Sequence, residues 1–406
     1  MLIPARQRIL RLISRCHRLL LAIAIAGQTA TGLAGSPPTI PQSDDAVLEV
    51  LPTSFRGNAS ELRKLREQLA MHPNDADMAS LVAKHYITIG SEEGDPRFFG
   101  YARAALDSWW NMSSPPATVL RLRAKLHEKD HQYDDALIDL DQLLVRYPRN
   151  AQAYIEMINI YRVQGRYDEA WQTHQRLETF AEPFVASLCR IPLEGATGNA
   201  ERAYAEAERI LPLAQSKWPS TVRWIVTMQA QLAMALGHVP EAEGHFKTGL
   251  KLTPNDRYLL REYADFLLDH GRAREVPMLL DAHTNDNGVL LSLSIAAHRL
   301  DDSGLARRTK KELQSRFDEI RLRGGDTHGK YEARFELEVK GNAGQALRIA
   351  LSNWENQKDV RDSRNVLEAA IAANMPTAAQ PVVDFLERHN TQDVQLQRLV
   401  QELKRQ

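Results

Sequence analysis

Three short punctuation marks constrain this 406-residue chain more than any other feature. Pro73-Asn74-Asp75, Pro148-Arg149-Asn150 and Pro254-Asn255-Asp256 each follow an apolar stretch of helical spacing and precede another. Proline lacks the N–H that a helix interior needs, so it stops the first stretch. An Asn or Asp side chain then accepts hydrogen bonds from the exposed N–H groups that open the next. Aligned on those prolines, residues 117–150, 151–184 and 223–256 each fill a 34-residue unit, the first two back to back. Alternation of period two is rare from residue 58 onward, while Ala, Leu, Arg and Glu recur at helical spacing. Strands are therefore not expected.

The units share a register. Residues 151–184 hold Tyr154, Tyr161, Gly165, Tyr167 and Ala170. Residues 117–150 hold Leu120, Ala124, Tyr133, Ala136, Leu140 and Leu143, and residues 223–256 hold Ala230, Gly237, Ala242 and Phe246. Small residues at a helix crossing let backbones come close, and large ones plug the space between units. This pattern resembles the tetratricopeptide repeat family, whose unit is a helix, a tight turn and a second antiparallel helix. The resemblance implies an all-α fold, a right-handed α-solenoid of antiparallel helix pairs. Weaker units follow the same scheme at 76–116 (with extra residues Ser91–Arg97 at the turn), 184–222 and 257–290. Ala306, Ala346 and Ala379 mark three more degenerate pairs. A lone helix, Asn58–Met71, opens the array, and Asp393–Lys404 closes it with a polar outer face, as an uncovered solenoid end requires. The Gly-rich stretch 324–329 interrupts the pattern, so the array divides into residues 58–323 and 330–406.

The N-terminus reads as an address. Residues 1–18 carry five arginines and no acid, residues 19–26 are wholly apolar, and small residues follow to Gly35. That order is the signature of a secretory signal peptide, cut after Ala34, which points to a periplasmic protein. A mitochondrial transit peptide, since acid-free Arg-rich starts occur there too, and an uncleaved anchor are the alternatives. The apolar run is far shorter than the roughly 20 residues that span a bilayer, so no transmembrane segment is expected in the mature chain. Residues 35–57, with Pro37, Pro38, Pro41 and Pro52, read as an extended linker. Without the leader the formal charge moves from −1 to about −6, which gives no pull toward nucleic acid. The basic run Arg307-Arg308-Thr309-Lys310-Lys311 is followed by Glu312, Asp318 and Glu319, and reads as a solvated helix face. Only Cys189 would remain as a thiol, which excludes an internal disulfide and a Cys-based zinc site.

One catalytic pattern is present. His127-Glu128-Lys129-Asp130-His131 matches H-E-x-x-H, which in zinc peptidases sets two imidazoles one turn apart with a Glu that activates water. The repeat register opposes it: His127 falls on a packing position, and His131 falls where the family places its turn glycine. No phosphate loop, dinucleotide fingerprint or Gly-x-Ser-x-Gly elbow occurs, so neither a cofactor nor an enzyme activity is expected.

The family resemblance also implies a concave groove lined by the first helix of each unit. Its ligand-facing places are the second, fifth, ninth, twelfth and thirteenth. Carried over, they give Lys84, then Arg121 and Lys125 with Glu128 and Lys129, then Gln152, Asn159 and Arg162. Trp224, Thr227, Gln231 and Met234 come next, followed by Tyr258, Arg261, Asp265 and Asp269. The family's carboxylate clamp sets a Lys and an Asn in the first unit, where this chain has Ser80 and Lys84, so that clamp is not reproduced. The expectation is an interaction scaffold of the bacterial envelope, holding a protein or acidic peptide through Lys84, Arg121, Lys125, Asn159 and Arg162, and serving an assembly, export or maturation system. Trp224 would instead serve a small-ligand or glycan-binding solenoid.

Overall fold

The structure, a computed structural model, describes residues 59–322 and 329–406. The leader, the segment 35–57 and most of the loop 324–329 lie outside the described residues. The chain divides into two compact units, residues 1–46 with 318–325 and residues 47–317 with 326–406. In the first, the described residues are the end of the helix Ser303–Leu322, where Arg321 pairs with Asp318 at 2.6 Å. The second carries the repeat.

Among the described residues there are helices and no strands. A lone helix α1 (Ala59–Met71) is followed by α2 (Ala76–Glu93) and α3 (Arg97–Ala105), with a single turn α4 (Asp107–Trp110) after them. Then come α5 (Ala117–Lys129) with α6 (Tyr133–Arg146), and α7 (Ala151–Val163) with α8 (Tyr167–Glu178). Next are α9 (Pro183–Ala196) with α10 (Ala200–Lys217), and α11 (Val222–Leu236) with α12 (Val239–Leu252). The pair α13 (Arg257–Asp269) and α14 (Val276–Leu280) precedes α15 (Asn287–Arg299) and α16 (Ser303–Leu322). After the undescribed loop, α17 (Gly329–Arg334) runs into a π-helical turn at Phe335–Val339 and pairs with α18 (Ala343–Asn356). Finally α19 (Val360–Ala372) pairs with α20 (Gln380–Arg388), and α21 (Val394–Leu403) closes the array.

The three punctuation marks work as their chemistry demands. In each triplet the third residue is the cap. Asp75 accepts from the N–H groups of Asp77 and Met78, Asn150 from Ala153 at 3.1 Å, and Asp256 from Leu259 at 3.1 Å. Each cap is worth about 1 kcal/mol. The crossing alanines Ala102, Ala136, Ala170, Ala203, Ala242, Ala346 and Ala379 are wholly buried, so the close helix approach they allow recurs along the array. Cys189 is buried beside Leu193 and Tyr154, and burial pushes its thiol up to about 12. The tryptophan pair separates: Trp109 is buried, while Trp110 lies half-exposed beneath the Arg103 guanidinium, 4.3 Å from its ring.

Turn glycines hold the left-handed backbone that β-carbons resist. Gly165 has φ 70° and Gly271 has φ 72°. They differ in what faces them. A β-carbon on Gly165 would lie 2.7 Å from the Phe385 ring of α20, whereas one on Gly271 would meet nothing within 4 Å. Gly271→Ala is therefore expected to cost about 1 kcal/mol from backbone strain alone. Gly165→Ala adds a clash and is expected to cost about 2–4 kcal/mol. Urea denaturation of both variants checks this; equal costs would show that Phe385 does not seal the Gly165 turn.

Candidate functional site

The groove positions fall into two groups. Toward the start of the array they are open. Lys84 on α2 and Asn159 on α7 are exposed, with no hydrogen bond or ion pair to another described residue. Arg121 on α5 is half-exposed, its Nη1 3.6 Å from Glu156 Oε1 on α7. Lys125 holds Glu128 one turn on, at 2.7 Å. Glu156 also accepts from Gln152 Nε2 at 3.0 Å, and burial pushes its carboxyl up. The structure thus brings Arg121, Lys125, Gln152 and Glu156 onto one face across two successive first helices.

Toward the end of the array the same groove places are taken by the chain itself. Asp265 on α13 accepts from Arg334 Nη1 of α17 at 2.6 Å, from Arg361 Nη2 of α19 at 2.8 Å and from Ser292 Oγ at 3.2 Å. Asp269, one turn further, accepts from both terminal nitrogens of Arg364 at 2.6 Å and from Gln395 Nε2 at 3.2 Å. Burial alone would raise both carboxyls; the facing arginines outweigh it and hold both below the usual carboxylate range. The docking continues beyond this pair. The Lys358 N–H donates to the Val163 carbonyl at the end of α7 at 2.7 Å, and the Ala200 N–H donates to Gln392 Oε1 at 2.8 Å. Tyr167 joins the apolar core of the last helices, its ring 5.8 Å from Phe385. Arg162 lies at this boundary, half-buried, with its Nε buried and unbonded.

Trp224 is 54% exposed, with the Arg223 guanidinium 4.6 Å over its ring and Arg223 held in turn by Asp256 at 2.7 Å. Among the described residues no hydrogen bond or ring contact joins Trp224 to Arg121 or Lys125.

The H-E-x-x-H pattern does not form the zinc arrangement. Helix α5 ends at Lys129, and His131 lies in the left-handed region at φ 58°. The two imidazoles therefore do not share one helix face. His127 Nδ1 bonds Gln132 Oε1 at 2.8 Å and its ring packs on Trp110, while His131 Nδ1 bonds the Tyr133 hydroxyl at 3.0 Å. Among the described residues no group of three or more His, Cys, Asp or Glu is placed to hold a metal ion.

Sequence reasoning put Asp265 and Asp269 on the groove but missed their occupants. The signal was present, since Asp265 and Asp269 stand one turn apart on one helix and Arg361 and Arg364 one turn apart on another. They are separated by 96 residues along the chain, and local pattern does not join such a pair.

Known proteins agree with the repeat. The family model described as tetratricopeptide repeat matches residues 121–181 and 227–275. The chain thus carries tetratricopeptide repeats over those residues. It is similar to PilW, described as a widely conserved type IV pilus biogenesis factor, at 17% identity over 51% of this chain and 97% of that one, with a TM-score of 0.41. It is also similar to a tetratricopeptide repeat protein from Parabacteroides merdae ATCC 43184, at 16% identity over 64% and 97%, TM-score 0.39. A third similar structure is the APC/C hetero-tetramer Cut9-Hcn1, at 12% identity over 81% and 63%, TM-score 0.49. No curated protein matches the chain.

Removing one partner from a buried ion pair costs about 3–5 kcal/mol, because the other charge stays behind. Asp265→Asn is expected to destabilise the protein by about 3 kcal/mol, as Arg334 and Arg361 lose the counter-charge they share. The depressed carboxyls contribute in full above the ordinary Asp value near 4, and that contribution is lost as pH falls through their lower folded values. Urea unfolding at neutral pH and at about pH 3 should therefore show a smaller acid loss in Asp265→Asn than in wild type. An unchanged acid loss would remove Asp265 from the docking.

Proposed function

We propose that this chain is an interaction scaffold of the bacterial cell envelope, holding a protein or peptide partner of acidic character in the open, early part of its groove. The observation that carries this reading is the division of the groove. Its later places are filled by the chain's own helices, whereas Lys84 and Asn159 face solvent without partners among the described residues. Arg121 is held only by a long contact to Glu156, and Lys125 only by its own helix neighbour Glu128. Arg and Lys on successive helices suit carboxylates presented along an extended segment.

The envelope part rests on the first 34 residues, which read as an export signal. Among the described residues no helix is long and apolar enough to cross a membrane. Sequencing the N-terminus of protein recovered from a periplasmic fraction tests it, and a mature start at Gly35 is expected. The place in an assembly, export or maturation system belongs to the same proposal and follows from envelope location together with a partner-holding fold.

The groove is tested by fluorescence anisotropy with a labelled oligo-glutamate peptide. Lys84→Glu combined with Arg121→Glu is expected to weaken binding by about tenfold or more, and added salt should weaken the wild type. Trp224→Ala is expected to change nothing. Undiminished binding by the double reversal would overturn the groove reading, and loss on Trp224→Ala alone would favour the small-ligand solenoid.

A further inference from the structure

The last four helices have an apolar core of their own. Buried side chains from Ala346 to Leu403 pack on one another across α18, α19, α20 and α21. Among the described residues, the buried members of that core from outside this stretch are Tyr167 and Ala333. The core before it ends at Phe335 and Val339. Between the two lies the turn at Gly341, with φ 68° and nothing within 4 Å of where a β-carbon would stand.

These helices rest on the earlier array chiefly through turns and polar groups. The turns of three successive pairs face them. β-Carbons on Gly165, Gly198 and Gly237 would lie 2.7 Å from Phe385, 2.9 Å from Asn390 and 3.6 Å from Val394. The bonds from Lys358 to Val163 and from Ala200 to Gln392 belong to the same edge. The apolar footing is narrow: the Tyr167 ring stands 5.8 Å from Phe385 and 4.7 Å from His389. The rest is charge, with Arg361 on Asp265 at 2.8 Å and Arg364 on Asp269 at 2.6 Å. Even there Arg361 Nη1 stays buried without an acceptor. Ion pairs and hydrogen bonds of this kind exchange for water at little net cost, whereas opening an apolar core costs in proportion to its area.

We propose that α18–α21 are a detachable clasp that leaves the later groove as one body about Gly341. Its departure uncovers Asp265 and Asp269 as a docking site for a partner segment carrying two arginines or lysines one turn apart. Helix α19 is the built-in occupant and shows the fit: Arg361 and Arg364, three residues apart, reach carboxylates four residues apart on α13. The occupant is basic because the uncovered surface is acidic. Without α19 and α21, Asp269 loses Arg364 and Gln395, and Asp265 keeps Arg334 and Ser292. Glu262, one turn before Asp265 and bonded to Gln231 at 3.1 Å, adds a further carboxylate. A tethered arginine pair competes at high effective concentration, so a free partner meets a site open for only part of the time. This acidic site is separate from the cationic groove at Lys84 and Arg121, so either reading can fail alone.

Hydrogen exchange of the full wild-type chain, read by mass spectrometry, tests the detachment. Amides of residues 343–403 should exchange together, about tenfold or more faster than those of α5 and α6, and faster still in added salt. Exchange that declines gradually inward from Leu403, as at a fraying end, or that occurs only with global unfolding, overturns the clasp. Fluorescence anisotropy tests the site, with a labelled peptide copying residues 357–373. Arg361→Ala combined with Arg364→Ala should bind it about tenfold or more tightly than wild type does, because the tethered competitor is gone. Adding Asp269→Asn to that variant should abolish the gain, as should alanine in place of the peptide's two arginines. Lys84→Glu with Arg121→Glu should leave the binding unchanged. Arg364→Gln alone is the milder variant and should show a gain of the same sign, which keeps the test decisive if the double variant does not fold. Equal binding by wild type and the folded variant, or a gain that survives Asp269→Asn, overturns the docking site.

Discussion

Two aspartates on one helix, Asp265 and Asp269, are gripped by three arginines from the far end of the chain, and most of what distinguishes this solenoid depends on that grip. A repeat array is ordinarily a one-dimensional object in which each unit touches only its neighbours, so its parts unfold semi-independently. Here Arg334, Arg361 and Arg364 bring the last helices back onto the middle of the array. The Gly165 turn, the Val163 carbonyl and Tyr167 add shape and backbone contacts to the charges. Buried ion pairs contribute little net stability but penalise their own disruption heavily. Their main effect is therefore to select one docking register for the apolar helices that follow.

That docking divides the inner surface into regions of different chemistry. The later groove positions become interior, with their charges matched within the chain. The early positions remain wet, with Arg121 and Lys125 lightly held and Lys84 and Asn159 unengaged.

The H-E-x-x-H pattern shows how repeat register settles a motif. A zinc peptidase needs helix at both histidines. The turn of this unit falls at His131, whose φ of 58° takes it off the helix, and His127 goes to packing against Trp110. The same register argument identified the crossing alanines and the caps, since those positions depend only on neighbours a turn or a helix away.

What the sequence determined alone was everything set by short-range physics. Proline stops, Asp and Asn caps, glycine turns and buried alanines repeat at 34 residues, and each acts within one unit or against the next. Those features placed the helix pairs from 76 to 290 and the degenerate pairs after them, while the family resemblance supplied the expected groove positions. The fate of those side chains was decided by tertiary structure. Whether Asp265 meets water, a partner or Arg361 depends on how successive units accumulate rotation and where that brings a segment 96 residues away. Small rotations summed over many units are not encoded in any local pattern. Which of those positions stay exposed and which meet the chain's own arginines therefore became visible only in three dimensions.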